Sequence, residues 1–280
     1  MPPAIMLILL LLGAIPAWSQ GAREECAPDY ARVSTGPERA WQLVWHDEFD
    51  YEGLPDPGKW GYEEGRIRNN EMQYYTRERQ ENARVEDGRL IIEARKENYR
   101  EAAYTSASLI TRHTASWRYG RIEVKAKLPT GRGMWPAVWM LGMNRSEVGW
   151  PACGEIDIME NVGFDPHRIH GYVHTKAFNH TIGAQKGATI TVLNPHADFH
   201  VYAVEWFEDH IDFFVNDQKY FTFENTRAGS DEWPFDQPHY LILNAAIGGN
   251  WGGQQGIDDT IFPQKYFIEY VRVYEASEQS

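Results

Sequence analysis

Cysteine is scarce in this 280-residue chain: only Cys26 and Cys153 occur. No disulfide framework can hold the fold, and no Cys/His spacing supplies a structural zinc site. A single bridge between the two is open to an exported chain, and the sequence does not show that they meet. Basic charge is also short. There are 27 Lys and Arg against 40 Asp and Glu, a formal net charge of −13 with no cationic cluster. Nucleic acid and anionic membrane surfaces, which demand a basic footprint, are thereby excluded as partners. No run of ten or more residues carries the 3.6-residue period of an amphipathic helix. Long apolar runs are missing too, save one at the N-terminus, Ile5 to Ile15, which is too short to span a bilayer.

That run ends at Ala17-Trp18-Ser19, a small-x-small pattern that reads as a signal-peptidase site before Gln20. It departs from the usual pattern in having no Lys or Arg ahead of it. Residues 1–19 are expected to be a signal peptide, which makes the protein secreted, extracellular or periplasmic, with no membrane attachment in its mature form. Residues 20–39 carry few apolar side chains and read as an N-terminal arm. Residues 40–276 contain no linker and no internal repeat, so they are expected to form one domain.

Aromatics are abundant at 14% of the chain, with 11 Trp and 15 Tyr. Trp fills sandwich cores, and it also stacks on the apolar C–H faces of sugar rings, so composition alone leaves both uses open. Period-two alternation dominates the pattern. In residues 119–128, Ile122, Val124, Ala126 and Leu128 alternate with Arg121, Glu123, Lys125 and Lys127, as on a half-buried strand. Similar runs at 89–94, 106–112, 137–141, 168–175, 201–206, 211–215, 220–223, 240–246 and 266–274 bring the expected strands to at least ten. Many short strands with turn signals between them indicate an all-β fold, a β-jelly-roll sandwich of two antiparallel sheets.

The densest chemistry lies in Glu155-Ile-Asp-Ile-Met-Glu160. Side chains alternate along a strand, so Glu155 and Asp157 share a face while Glu160, five residues from Glu155, should point the other way. A β-bulge at Ile158 or Met159 would restore the phase and bring all three carboxylates to one face. Retaining glycoside hydrolysis needs two such groups flanking the scissile bond. Glu155 and Glu160 would lie about 13 Å apart at Cα, so their side chains must lean together over Asp157. A solvated edge strand and a hard-cation site are the competing readings of the same residues. Two flanking segments bear on the choice. Trp135 and Trp139 are even-spaced and share a face if extended, and Trp251 is the lone aromatic of Gly248-Gly-Asn-Trp-Gly-Gly253. That glycine segment reads as a flexible loop. It lacks the Lys-Ser/Thr of a phosphate loop, and an exposed Trp there suits a sugar platform.

These residues resemble the bacterial-type endo-β-1,3-glucanases, or laminarinases, of glycoside hydrolase family sixteen. Glu155-Ile-Asp-Ile-Met-Glu160 looks like the bulged form of that family's signature. The likeness runs from Trp45-His-Asp-Glu-Phe49 through Asn69-Asn-Glu-Met-Gln-Tyr-Tyr75, the 135–141 segment and Leu243 to Trp251, and ends at Tyr270-Val-Arg-Val-Tyr274. The resemblance implies a concave, concanavalin-like substrate cleft with Glu155 as nucleophile, Asp157 as its helper and Glu160 as acid/base. It implies sugar subsites at Trp135, Trp139 and Trp251, polar contacts from Asn69, Glu71 and Arg112, and a cleft histidine at His174. It implies no cofactor for catalysis, a monomer, and β-1,3-glucan as partner. A structural Ca²⁺ site would involve Glu48, the Gly88 carbonyl and Glu269, although the family usually shows Asp where this chain has Glu269. Mixed-linkage glucanases and agarose-type galactan hydrolases share the scaffold. Non-catalytic β-glucan-recognition proteins lack the glutamates that this chain retains. Asn144-Arg-Ser146 and Asn179-His-Thr181 match the N-glycosylation pattern.

Overall fold

Alternation along the strand Met134–Gly142 divides its side chains between two apolar clusters. Met134, Val138 and Met140 join the main core, while Ala137, Trp139 and Leu141 join a smaller cluster with Ile110, Tyr240 and Ile242 on the opposite face. A strand that is apolar on both faces must be covered twice, once by the second sheet and once by whatever fills the cleft.

The computed structural model describes residues 33–34 and 40–277. The signal-peptide residues 1–19, most of the 20–39 arm and Cys26 lie outside the described residues. The seven-stranded sheet runs Lys186–Thr191, Arg168–His174, Glu155–Glu160, Met134–Gly142, His239–Ile247, Ser108–Ile110 and Gly61–Glu63, with every neighbouring pair antiparallel. Facing it is an eleven-stranded sheet centred on Gly120–Lys127, which lies between His200–Trp206 and Gln264–Ala276. Its one parallel pair joins Gln73–Tyr75 to Ala102–Ser106. The inner faces meet through side chains such as Ile156, Ile158 and Leu243 from one sheet and Ile122, Val124 and Val204 from the other, all fully buried. This is the jelly-roll sandwich that the alternation implies.

The outer face of Gly120–Lys127 is drier than alternation suggests. Arg121 and Glu123 are both buried, because Arg121 donates to Glu123 Oε2 at 3.0 Å and to Glu205 Oε1 at 2.9 Å. Burial of such charges is tolerated only because they satisfy each other. Among the described residues helix is confined to short turns at Arg145–Val148 and Gly249–Gly252 and two 3₁₀ turns. Among the described residues no helix is long and apolar enough to cross a membrane.

Candidate active site

The register shows how three carboxylates reach one face. Against Met134–Gly142, Asp157 pairs with Trp139 and Met159 with Val138, so Ile158 is left without a partner. Against Arg168–His174, Glu155 faces His174, Asp157 faces Tyr172 and Glu160 faces His170. Three steps along one strand therefore match two along the other, which defines a bulge. Met134–Gly142 pairs with His239–Ile247 without a slip, so the irregularity belongs to the Glu155–Glu160 strand. Ile156, Ile158 and Met159 enter the core, and Glu155, Asp157 and Glu160 open into a cavity of about 1080 Å³.

Each outer carboxylate accepts an indole N–H. Trp150 Nε1 donates to Glu155 Oε2 at 2.9 Å, and Trp135 Nε1 donates to Glu160 Oε1 at 2.9 Å. His174 Nε2 stands 3.2 Å from Asp157 Oδ2 and 3.8 Å from Glu155 Oε1. Burial and mutual repulsion push these acids upward. Burial, then the Asp157 charge, raises Glu155 to about 8, opposed by His174, the Trp150 hydrogen bond and Arg68. Burial raises Asp157, and it raises Glu160 well above the ordinary carboxylate range, with Asp157 adding to the effect. Three anions this close repel one another, so all three carboxyls are shifted toward the protonated form.

Trp135, Trp139 and Trp251 all line the cavity. Trp139 donates to Asn244 Oδ1 at 2.7 Å. Trp251 sits on the helical turn Gly249–Gly252 and not on a flexible loop. Its ring meets Trp135 edge-on at 5.4 Å and His170 at 4.8 Å. Gly252 makes that approach possible, since a Cβ there would lie 2.9 Å from the Trp135 Cβ. Asn69 and Glu71 also line the cavity. Glu71 is buried and accepts from Gln73 at 2.6 Å and Tyr75 at 2.9 Å, while Asn69 donates to its other oxygen at 3.3 Å. Arg112 does not reach the cavity. The strand ends at Ile110, and the arginine instead lies over the Tyr240 ring at 5.7 Å. Asn179 is buried as the cap of the 3₁₀ turn His180–Ile182, so its sequon serves the backbone.

Among the cleft residues that sequence reasoning missed are Arg68, Arg145, Trp150 and His170. Arg68 lies over Trp139 at 4.8 Å and pairs with Glu63 at 2.6 Å. Arg145 joins it in the lining. His170, directly opposite Glu160, has both ring nitrogens without a partner, and burial lowers its pKa to about 4. Trp150 lies in a loop where no period exists. The legible signal for His170 was its parity, since 170, 172 and 174 share a face.

The trio matched to calcium does not fit a cation cage as it stands. Glu48 accepts from Arg272 Nε and Nη2, both at 2.8 Å, and Glu269 pairs with Lys125 Nζ at 2.8 Å. Gly88 occupies a turn with φ of 69°. Both carboxylates are already answered by cations. Glu155, Asp157 and His174 bring one potential ligand atom each within 4.8 Å of one another, a grouping that carboxylate chemistry and metal binding would share.

A two-sheet jelly roll whose cleft floor carries clustered carboxylates among indoles defines a class of carbohydrate-cleaving sandwich enzymes. Within that class, the family model for glycosyl hydrolases family 16 matches residues 70–272, and the chain belongs to this family. It is 57% identical over 244 residues to a beta-glucanase of Rhodothermus marinus, an alignment spanning 84% of this chain and 85% of that protein. The solved laminarinase from Rhodothermus marinus superposes with a TM-score of 0.84 at 55% identity, covering 86% of this chain and 99% of that one. A solved non-specific endo-beta-1,3(4)-glucanase superposes with a TM-score of 0.82 at 47% identity, covering 88% of this chain and 94% of the other.

Proposed function

We propose that this protein is an exported, monomeric, endo-acting β-1,3-glucanase that cleaves laminarin-like glucans with retention of configuration. The observation that carries the reading is the bulge, which turns Glu155, Asp157 and Glu160 into one cleft face. Glu155 attacks the anomeric carbon as a carboxylate and forms the glycosyl-enzyme, while Glu160 gives its proton to the departing sugar oxygen. Glu160, now ionised, then takes a proton from water as that water displaces Glu155. Asp157 lies between them and, with His174, sets the charge felt by the nucleophile. Aromatic walls at Trp135, Trp139 and Trp251 suit the C–H faces of glucosyl rings. The reading needs no metal in the bond-cleaving step.

Likeness to the non-specific endo-beta-1,3(4)-glucanase supports a second substrate, mixed-linkage glucan. Reducing-sugar release from laminarin, lichenan and agarose tests both, with E155A as the blank. Release from laminarin is expected to lead, with lichenan following. Release from agarose alone would overturn the proposal.

A further inference from the structure

The two indole N–H groups that reach the outer carboxylates have no role in the scheme above. An indole N–H only donates and never accepts, so it favours the ionised form of the carboxyl it meets and leaves any proton to the other oxygen. Both rings are themselves held in place. Trp150 packs against His180 at 5.1 Å and His174 at 6.1 Å, and Trp135 is braced by Trp251 at 5.4 Å. Trp139 provides the contrast. It stands on the same face of the same strand as Trp135, yet its N–H goes to the neutral amide of Asn244 and its ring carries Arg68.

We propose that Trp150 and Trp135 are positioning residues that divide the labour of the two glutamates: Trp150 holds Glu155 as the anion, and Trp135 occupies Oε1 of Glu160 so that Oε2 presents the acidic proton. This rests on the roles given to Glu155 and Glu160 above. Trp139 is a platform alone.

The other charged groups around each acid are shared by any variant at these tryptophans. Glu155 is faced by Asp157 from its own strand, His174 from the next, Arg68 across the cleft and His180 beyond Trp150. Glu160 is faced by Asp157 and Glu155 from its own strand and by His170, Tyr172 and His174 from the neighbouring one. Replacing indole by phenyl removes one donor and leaves these in place, so the change in each acid reports the donor.

The test is the pH dependence of kcat and kcat/KM on laminarin for the wild type, W150F, W135F and W139F. Loss of a hydrogen bond to an anion is expected to raise the acid's pKa by about one to two pH units. W150F should therefore move the acidic limb up, with kcat falling about tenfold or more at the wild-type optimum. W135F should move the alkaline limb up and lower kcat more than it raises KM. W139F should raise KM and leave both limbs where they were. Limbs unmoved in W150F and W135F, with KM raised, would make both residues sugar platforms and overturn the proposal. Carbon-13 NMR titration of Glu155 and Glu160 in the same folded variants reads the pairing without turnover. A wild type inactive on laminarin would thus refute the glucanase reading, whereas unshifted carboxyl titrations would refute this one. Should W150F fail to fold, W135F decides, because its limb is expected to move separately.

Discussion

Ile158 and Met159 are consecutive in the chain, yet both side chains are fully buried in the same core. On a regular strand one of them would face the cleft. Two core residues in succession are the structural form of the bulge, and the phase of Glu160 depends on them.

Deleting Ile158 should therefore leave 155, 157 and the shifted glutamate at even spacing on an unbulged strand, with all three acids still in the cleft. Laminarin hydrolysis is expected to survive, reduced by about one to two orders of magnitude by misplacement of the acid. Loss of one buried aliphatic residue should lower Tm by roughly 5–20 °C. A folded deletion variant with no turnover at all would mean that the bulge sets a distance as well as a phase.

Azide separates the glutamates. E160A should still be glycosylated by substrates with good leaving groups, and azide, which needs no general base, should restore turnover as the β-glycosyl azide. E155A should yield only the α-glycosyl azide, if it reacts. NMR of the products checks both, and interchanged anomers would reverse the assignment. The same spectra of early wild-type products should show the β anomer.

Stability should fall as pH rises through the range where these acids ionise. Burial and the Asp157 charge raise Glu155 to about 8 in the folded protein, against an ordinary value of 4.5. Between those values the native state binds more protons than the unfolded chain, so the favourable contribution is complete below about pH 4.5 and is lost toward pH 8. E155Q fixes the neutral form and leaves an oxygen for Trp150. Its Tm should exceed the wild type by about 2–8 °C at pH 8, and the difference should close at pH 4. An equal offset at both pH values in thermal melts would show that Glu155 is not strained in its ionised form.

Chelation should change little. With Glu48 given to Arg272 and Glu269 to Lys125, EDTA is expected to shift Tm by less than about 2 °C, whereas removal of a tightly held ion would cost several degrees. Turnover should persist. Activity lost in a chelated but folded protein would assign Glu155, Asp157 and His174 to a cation.

Much of this architecture is legible in the chain because period-two alternation is a local property. Residues 119–128 declare their faces without any knowledge of their neighbours, and the parity mismatch at Glu160 is visible for the same reason. Side chains that reach the site from turns leave no such trace. Trp150 arrives from a loop, and Arg68 precedes two left-handed residues, Asn69 and Asn70, whose φ values of 52° and 53° redirect the chain. Arg112 failed in the opposite sense. Alternation extended its strand past Ile110, but the backbone turns at Thr111, where Thr114 and Ala115 donate back to the Thr111 carbonyl. Glu269 pairs with Lys125, a partner 144 positions away in sequence and invisible to any local pattern.

Cys153 is a free thiol, wholly buried, two positions ahead of Glu155. Burial and the Glu155 charge lift its pKa to about 11, so at neutral pH roughly one molecule in ten thousand carries the reactive thiolate. An alkylating reagent must also wait for this end of the strand to part from its neighbours. The thiol is in effect a clock fixed beside the reaction centre, and its labelling rate, with and without bound oligosaccharide, would time the local breathing of the cleft floor.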